Sequence, residues 1–211
     1  MGMQRTGRWN EKLQEDSVQA FVGNMRILAI SGSLRSGSSN TAVLRAARTL
    51  APSGVDIILY ESLGALPHFN PDLDGDKPPQ SVLELRYEVG LADGLLISSP
   101  EYAHGVPGSL KNALDWLVAS VEFPGKAVAL LNTSPRAAHA PAQLSEILMT
   151  MGARLIPEAS ATLELPVRTS DGAGFVPNPE LSRTLSSTLS ALARALSTPI
   201  KNSGLRIQVV P

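Results

Sequence analysis

A chain of 211 residues fits one globular domain with a sizeable core, and its 43% hydrophobic and 18% charged residues are ordinary for a folded protein. A formal net charge of −1 leaves no broad cationic surface for nucleic acid or an anionic membrane. The absence of cysteine excludes disulfides, thiolate metal sites and cysteine nucleophiles and fits a reducing cytoplasm, while no run of about 18 apolar residues reads as a membrane span.

Residues 1–24 are polar and mixed in charge, lack the apolar stretch of a signal peptide, and read as a flexible or loosely docked extension. Residues 26–31 read as a short buried strand and residues 39–50 as a helix. A second strand is expected over residues 55–60, followed by a long Pro-, Asp- and Gly-rich loop over 61–79. Then come a helix at 81–92, a strand at 94–98, a helix at 108–119 and a strand at 127–132. A helix at 142–151, a strand at 154–160 and a helix at 180–196 complete the alternation, with residues 199–211 left as a C-terminal arm.

Strictly alternating strands and helices predict an α/β fold, a parallel five-stranded sheet covered by helices on both faces in a three-layer αβα sandwich. The flavodoxin-like strand order 2-1-3-4-5 reverses direction between strands one and three, and ligands sit at the carboxyl ends there. The loops after strands one, three and four, residues 31–40, 99–108 and 133–141, should therefore converge.

The first of these loops reads SGSLRSGSSN, with five serines, two glycines, one arginine and no acidic residue. Hydroxyls, backbone N–H groups and one fixed cation match a phosphate monoester, and the following helix would aim its free N–H groups at the same anion. An ordinary serine-rich turn with a good helix cap is the alternative. The loop has no lysine, so it is not a G-x-x-x-x-G-K-[ST] loop, and its glycine spacing is not G-x-G-x-x-G.

The third-strand segment reads SSPEYAHGVPGSLKNALDWL from Ser98 to Leu117. Pro107 suits a first helical turn, Pro100 stiffens the loop, and Tyr102 puts a flat ring at the sheet's carboxyl edge, a wall for a planar ring system. Leu110, Leu114, Trp116 and Leu117 form an apolar stripe at helical spacing, which reads as core or interface packing. Lys111 and Asp115 stand four apart as a solvated surface pair. His68, His104 and His139 are scattered without metal-ligand spacing, so no metal site is expected.

GSLRSGSSN together with SPEYAHGVPGSLKNALDWL, in this order and separation, resembles the NADPH-dependent FMN reductase family, the flavodoxin-like quinone, chromate and azo-dye reductases, over residues 26–161. The resemblance implies that Ser33, Arg35, Ser38, Ser39 and Asn40 bind the FMN phosphate. It implies that Pro100, Glu101, Tyr102, Ala103 and His104 lie along the isoalloxazine ring, and that Thr133, Ser134 and Arg136 close its other side. Two departures stand out. Ala103 replaces the Asn that many relatives carry after the Tyr, and Ser134–Pro–Arg136 begins a loop where many have a Gly-rich turn. An alternative placement turns Arg35 outward to the NADPH phosphates.

The implied activity is hydride passage from NADPH, or NADH, through bound FMN to a small acceptor: quinone, flavin, azo compound or metal oxyanion. The cofactor carries the chemistry, so no side chain is expected as catalytic acid or base, and His104 stands as an optional donor near the ring. The family implies a homodimer or homotetramer, with the Leu114/Trp116 helix and the 61–79 loop as contact surfaces. A flavodoxin-type electron carrier, against which the near-neutral charge argues, and a flavin-free binding module are the rival readings.

Overall fold

The computed structural model describes residues 24–165 and 178–198. The expected N-terminal extension, apart from Asn24, and the C-terminal arm lie outside the described residues. The elements are β1 (Met25–Ser31), α1 (Ser39–Thr49), β2 (Val55–Tyr60), α2 (Gln80–Leu91), β3 (Gly94–Ser98), α3 (Gly108–Leu117), β4 (Ala127–Asn132), α4 (His139–Thr150), β5 (Arg154–Leu155), β6 (Ala161–Thr162) and α5 (Pro179–Ser197).

All strand pairs are parallel, in the order β2-β1-β3-β4-β5, with β6 also on β4. This is the flavodoxin-like order expected. The central strands are apolar on both sides because both faces are covered. Ile27 and Ala29 of β1 pack with Val43 and Leu44 of α1 and Leu185 and Leu189 of α5. Leu28 and Ile30 face the opposite way, against Leu85 of α2, Leu114 of α3 and Leu148 of α4. Successive residues of one strand thus serve opposite layers.

The single fifth strand expected over residues 154–160 is broken. Pro157 has no N–H to give β4 and opens a 3-10 turn, Pro157–Ala159, between β5 and β6. The ladder is repaired by a side chain: the Leu130 amide donates to Ser160 Oγ at 3.0 Å, and that hydroxyl donates to the Ile156 carbonyl at 3.0 Å. Helix α4 also begins earlier than residue 142, because Pro141 sits in its first turn, where the missing N–H would have had no partner.

The long 61–79 loop contains two 3-10 turns, Leu63–Ala65 and Pro71–Leu73, and α3 holds it down. Asn112 Nδ2 and Trp116 Nε1 both donate to the Pro67 carbonyl, and the Phe69 amide donates to Asn112 Oδ1. Leu114 and Trp116 are fully packed inside, with Trp116 edge-on to Phe69. Their stripe is core, so they are spent before any partner subunit could reach them. Lys111 and Asp115 form the exposed i,i+4 pair, 2.6 Å apart.

Candidate functional site

The loops after β1, β3 and β4 meet at the carboxyl end of the sheet around a cleft of about 310 Å³. Ser33, Arg35, Ser38, Ser39 and Asn40 line it from the first loop, Pro100, Glu101 and Tyr102 from the second, and Thr133 and Ser134 from the third. Ala103, His104 and Arg136 do not line it. Gly37, Ser99, Asn132 and Ala137 do, without having been singled out in the sequence. Ser99 follows directly on the last residue of β3, and Asn132 is the last residue of β4, so strand ends at the switch point were the available signal.

Gly32 lets the first two loops touch. A Cβ there would fall 2.7 Å from Ser99 Oγ, which would have to shift, and 3.1 Å from Leu110, which would have to give slightly. The loop then wraps into α1 through its own hydroxyls. Ser38 caps the helix, accepting from the amides of Asn40 at 3.2 Å and Thr41 at 3.4 Å. The Arg35 amide donates to Ser33 Oγ at 3.3 Å. Among the described residues, the amides of Gly37 and Ser39, which line this cleft, have no acceptor, so two donors remain beside the Arg35 guanidinium.

Asn40 is almost fully buried and ties the three loops at their roots. Its Oδ1 lies 2.8 Å from Ser98 Oγ and 3.2 Å from Thr133 Oγ1. The Ser98 hydroxyl also lies 2.9 Å from the Leu131 carbonyl on β4. Asn132 organises the third loop in place of glycines. Its Oδ1 accepts from the Ser134 amide at 3.1 Å, its Nδ2 donates to the Ala137 carbonyl at 3.2 Å, and the Ala137 amide donates to the Ser134 carbonyl.

Glu101 joins the second loop to the third. Ala138, at the cap position of α4, has no capping side chain, and the Glu101 carboxylate takes the role by accepting from the Ala140 amide at 2.9 Å. That hydrogen bond holds the Glu101 carboxyl below the ordinary glutamate range; partial desolvation opposes the shift, and the His139 amide and the His139 and His104 rings add to it. The His104 ring stacks on His139, the first residue of α4, with centroids 4.3 Å apart.

Tyr102 and Gly105 exchange backbone hydrogen bonds of 3.1 and 2.9 Å around Ala103 and His104. Both central residues have positive φ, +48° and +59°, as a type I′ turn requires. Neither side chain favours that region, so the turn holds backbone strain at the rim of the cleft. Tyr102 is 56% exposed there.

The site is weakly charged: among the described residues, Arg35 and Glu101 are the only formally charged side chains that line it. It can bind a small anion at the α1 end and a flat neutral body between the second and third loops. No group of three or more His, Cys, Asp or Glu able to hold a metal ion occurs among the described residues, nor is any helix among them long and apolar enough to cross a membrane.

Comparison with known proteins agrees with this geometry. The chain is 42% identical over 113 residues to an NAD(P)H-dependent FMN reductase of Pseudomonas aeruginosa, covering 53% of this chain and 60% of that protein. It is 35% identical over 143 residues to a quinone reductase of Pseudomonas putida, covering 63% and 75%. The matched region thus spans under two thirds of the first of these relatives. Among solved structures, FerB, a flavoenzyme NAD(P)H:(acceptor) oxidoreductase from Paracoccus denitrificans, superposes with a TM-score of 0.69 at 29% identity, covering 82% of this chain and 97% of that one. The family model described as NADPH-dependent FMN reductase matches residues 25–165, and the chain belongs to that family.

Proposed function

We propose that the protein is an FMN-dependent NAD(P)H oxidoreductase that reduces a small acceptor, with quinones first among quinone, flavin, azo compound and metal oxyanion. One observation carries the reading: three loops converge on a single cleft that pairs an anion cradle with flat neutral walls. The residues fit the cofactor. The Gly37 and Ser39 amides without acceptors, the hydroxyls of Ser33 and Ser39, and the Arg35 guanidinium make a donor set for a phosphate monoester. Pro100, Glu101 and Tyr102 would hold one flank of the ring system, and Thr133 and Ser134 the other.

Bound in this cleft, FMN would supply the chemistry of hydride uptake from the nicotinamide and two-electron delivery to the acceptor. The chain's own work is placement. Asn40 fixes the spacing between the cradle and both ring-side loops. Glu101, held by the Ala140 amide, keeps the second and third loops at a constant separation. Tyr102, exposed at the rim, offers a flat surface to whatever stacks there. Ala103, His104 and Arg136 stand outside the cleft wall, and their part is indirect: the first two shape the turn that carries Tyr102.

Names of relatives support quinones: the Pseudomonas putida protein is a quinone reductase, and a Burkholderia relative 37% identical over 113 residues is a 2-hydroxy-1,4-benzoquinone reductase. A homodimer or homotetramer belongs to the same proposal. An exposed apolar row on α2, Leu83, Tyr87 and Leu91, is available where Leu114 and Trp116 are not. A monomer in sedimentation at micromolar concentration contradicts that assembly.

The decisive measurement is an absorption spectrum of the purified protein followed by anaerobic NADPH, with bleaching of the flavin bands expected. Arg35→Ala is expected to weaken FMN binding by about 1.5–3 kcal/mol, roughly ten- to 150-fold, the range for hydrogen bonds to a charged group. An unchanged FMN dissociation constant in that variant rules out the cradle.

A further inference from the structure

Residues 33–36 form a wall between the anion cradle and a second cleft of about 340 Å³ beside α1. Ser33 and Arg35 line both, so that cleft shares polar groups with the site already described. The His104 and His139 rings line neither cleft. They stack on each other, with centroids 4.3 Å apart and planes 19° apart. One ring comes from the turn that carries Tyr102, the other from the first residue of α4.

Two hydrogen bonds join the same segments. The Ala140 amide donates to Glu101 at 2.9 Å, and the Val106 amide donates to Gln143 Oε1 at 2.8 Å. Residues 101, 104 and 106 of the second loop are thus held by residues 140, 139 and 143 at the start of α4. His139 and Gln143 stand four apart and share a helix face. The helix is itself anchored by Leu144 and Leu148, both buried in the core. A rigid core therefore reaches the second loop through the exposed end of α4. The backbone carries a matching sign. His104 sits at φ +59°, a conformation that residues other than glycine keep only where their surroundings hold them. The stack on His139 is a side-chain contact able to do so.

We propose that the His104–His139 stack is a clasp that fixes the second loop to α4 and so sets the width of the gap that receives the flat ring system. Both histidines are positioning residues. They act through Pro100, Glu101 and Tyr102, which line one flank of the cleft opposite Thr133 and Ser134. The inference rests on the flavin-binding reading above and adds residues outside the cleft that govern it.

The probes are riboflavin and FMN, titrated into the flavin-free full-length protein and read by fluorescence quenching. Riboflavin lacks the phosphate, so its affinity reads the ring-side gap, while the ratio of FMN to riboflavin affinity reads the cradle. His139→Ala is expected to weaken both flavins by one factor, roughly two- to twelvefold, the worth of an aromatic pair, with their ratio unchanged. Arg35→Ala should instead weaken FMN and spare riboflavin. His139→Phe, which keeps a stacking ring, should restore the affinity. His104→Asn tolerates the positive φ but has no ring. It should weaken riboflavin as His139→Ala does, and the double variant should lose no more than either single one. Amide exchange at Val106 reads the clasp without any flavin: it should quicken by a similar factor in His139→Ala and slow again in His139→Phe. Riboflavin affinity indifferent to His139→Ala, losses that add in the double variant, or unchanged exchange at Val106 overturns the proposal. A wild-type protein that binds neither flavin sinks the oxidoreductase reading instead, and the exchange rates still decide whether the stack holds the loop to α4.

Discussion

At Ala103 and His104 two ordinary L-residues occupy backbone space that suits Asn and Gly, and each left-handed residue costs about 1–2 kcal/mol. Ala103→Asn supplies the side chain that best tolerates the first central position of a type I′ turn. It should raise unfolding stability by about 0.5–1 kcal/mol in a urea titration, and a loss of stability would mean the turn is not strained. Glu101 supports a second prediction. Its folded-state pKa lies below the ordinary value of 4.5, so its stabilisation is complete above that value and disappears as pH falls through the folded pKa. The urea-midpoint gap between wild type and Glu101→Gln should therefore be largest near neutrality and close below pH 4.5. A gap that persists in acid removes the carboxylate from its capping role. Tyr60 shows the opposite sign. Burial first, then the nearby Glu84 and Glu88 charges, push its hydroxyl up to about 12, so its contribution is full below the ordinary value of 10.0 and is lost as pH rises through the shifted one.

At the element scale the fifth strand is the clearest case of a side chain standing in for backbone. With Ser160→Ala the Leu130 amide loses its acceptor inside the β4 ladder, a loss worth about 1–3 kcal/mol for a buried unpaired donor. Faster hydrogen exchange at Leu130 is the accompanying signal, and unchanged exchange would show that another acceptor serves. Pro157 announced this break, yet an apolar run on either side of it reads as one strand. Most other elements were legible because their apolar runs serve two covered layers: residues 55–60 and 127–132 were bounded to the residue. The start of α4 was not, since its cap is Glu101, 39 residues upstream of the Ala140 amide it accepts from. No local pattern encodes such a contact. Trp116 was placed correctly as packing, but its service to the 61–79 loop through the Pro67 carbonyl depends on tertiary placement alone.

For the whole molecule, the switch-point rule names the three loops that converge on one cleft, and ten of the thirteen anticipated side chains line it: Ser33, Arg35, Ser38, Ser39, Asn40, Pro100, Glu101, Tyr102, Thr133 and Ser134. Ala103 and His104, the central residues of the 102–105 hairpin, and Arg136 of the third loop do not line the wall. Ligand binding should be visible in global stability. FMN at a hundredfold excess over its dissociation constant is expected to stabilise the fold by about 2.7 kcal/mol, and Arg35→Ala should erase most of that increment at the same concentration. A melting temperature indifferent to FMN would contradict flavin binding altogether.

The wall at residues 33–36 has two wet faces and one set of backbone dihedrals. Whatever fixes Arg35 from one side leaves less freedom to be lost when a ligand arrives on the other. Thermodynamic reciprocity then makes the effect run both ways by the same factor. Any small molecule seated on the far face should therefore shift the flavin's dissociation constant, and the flavin should shift that molecule's affinity in equal proportion.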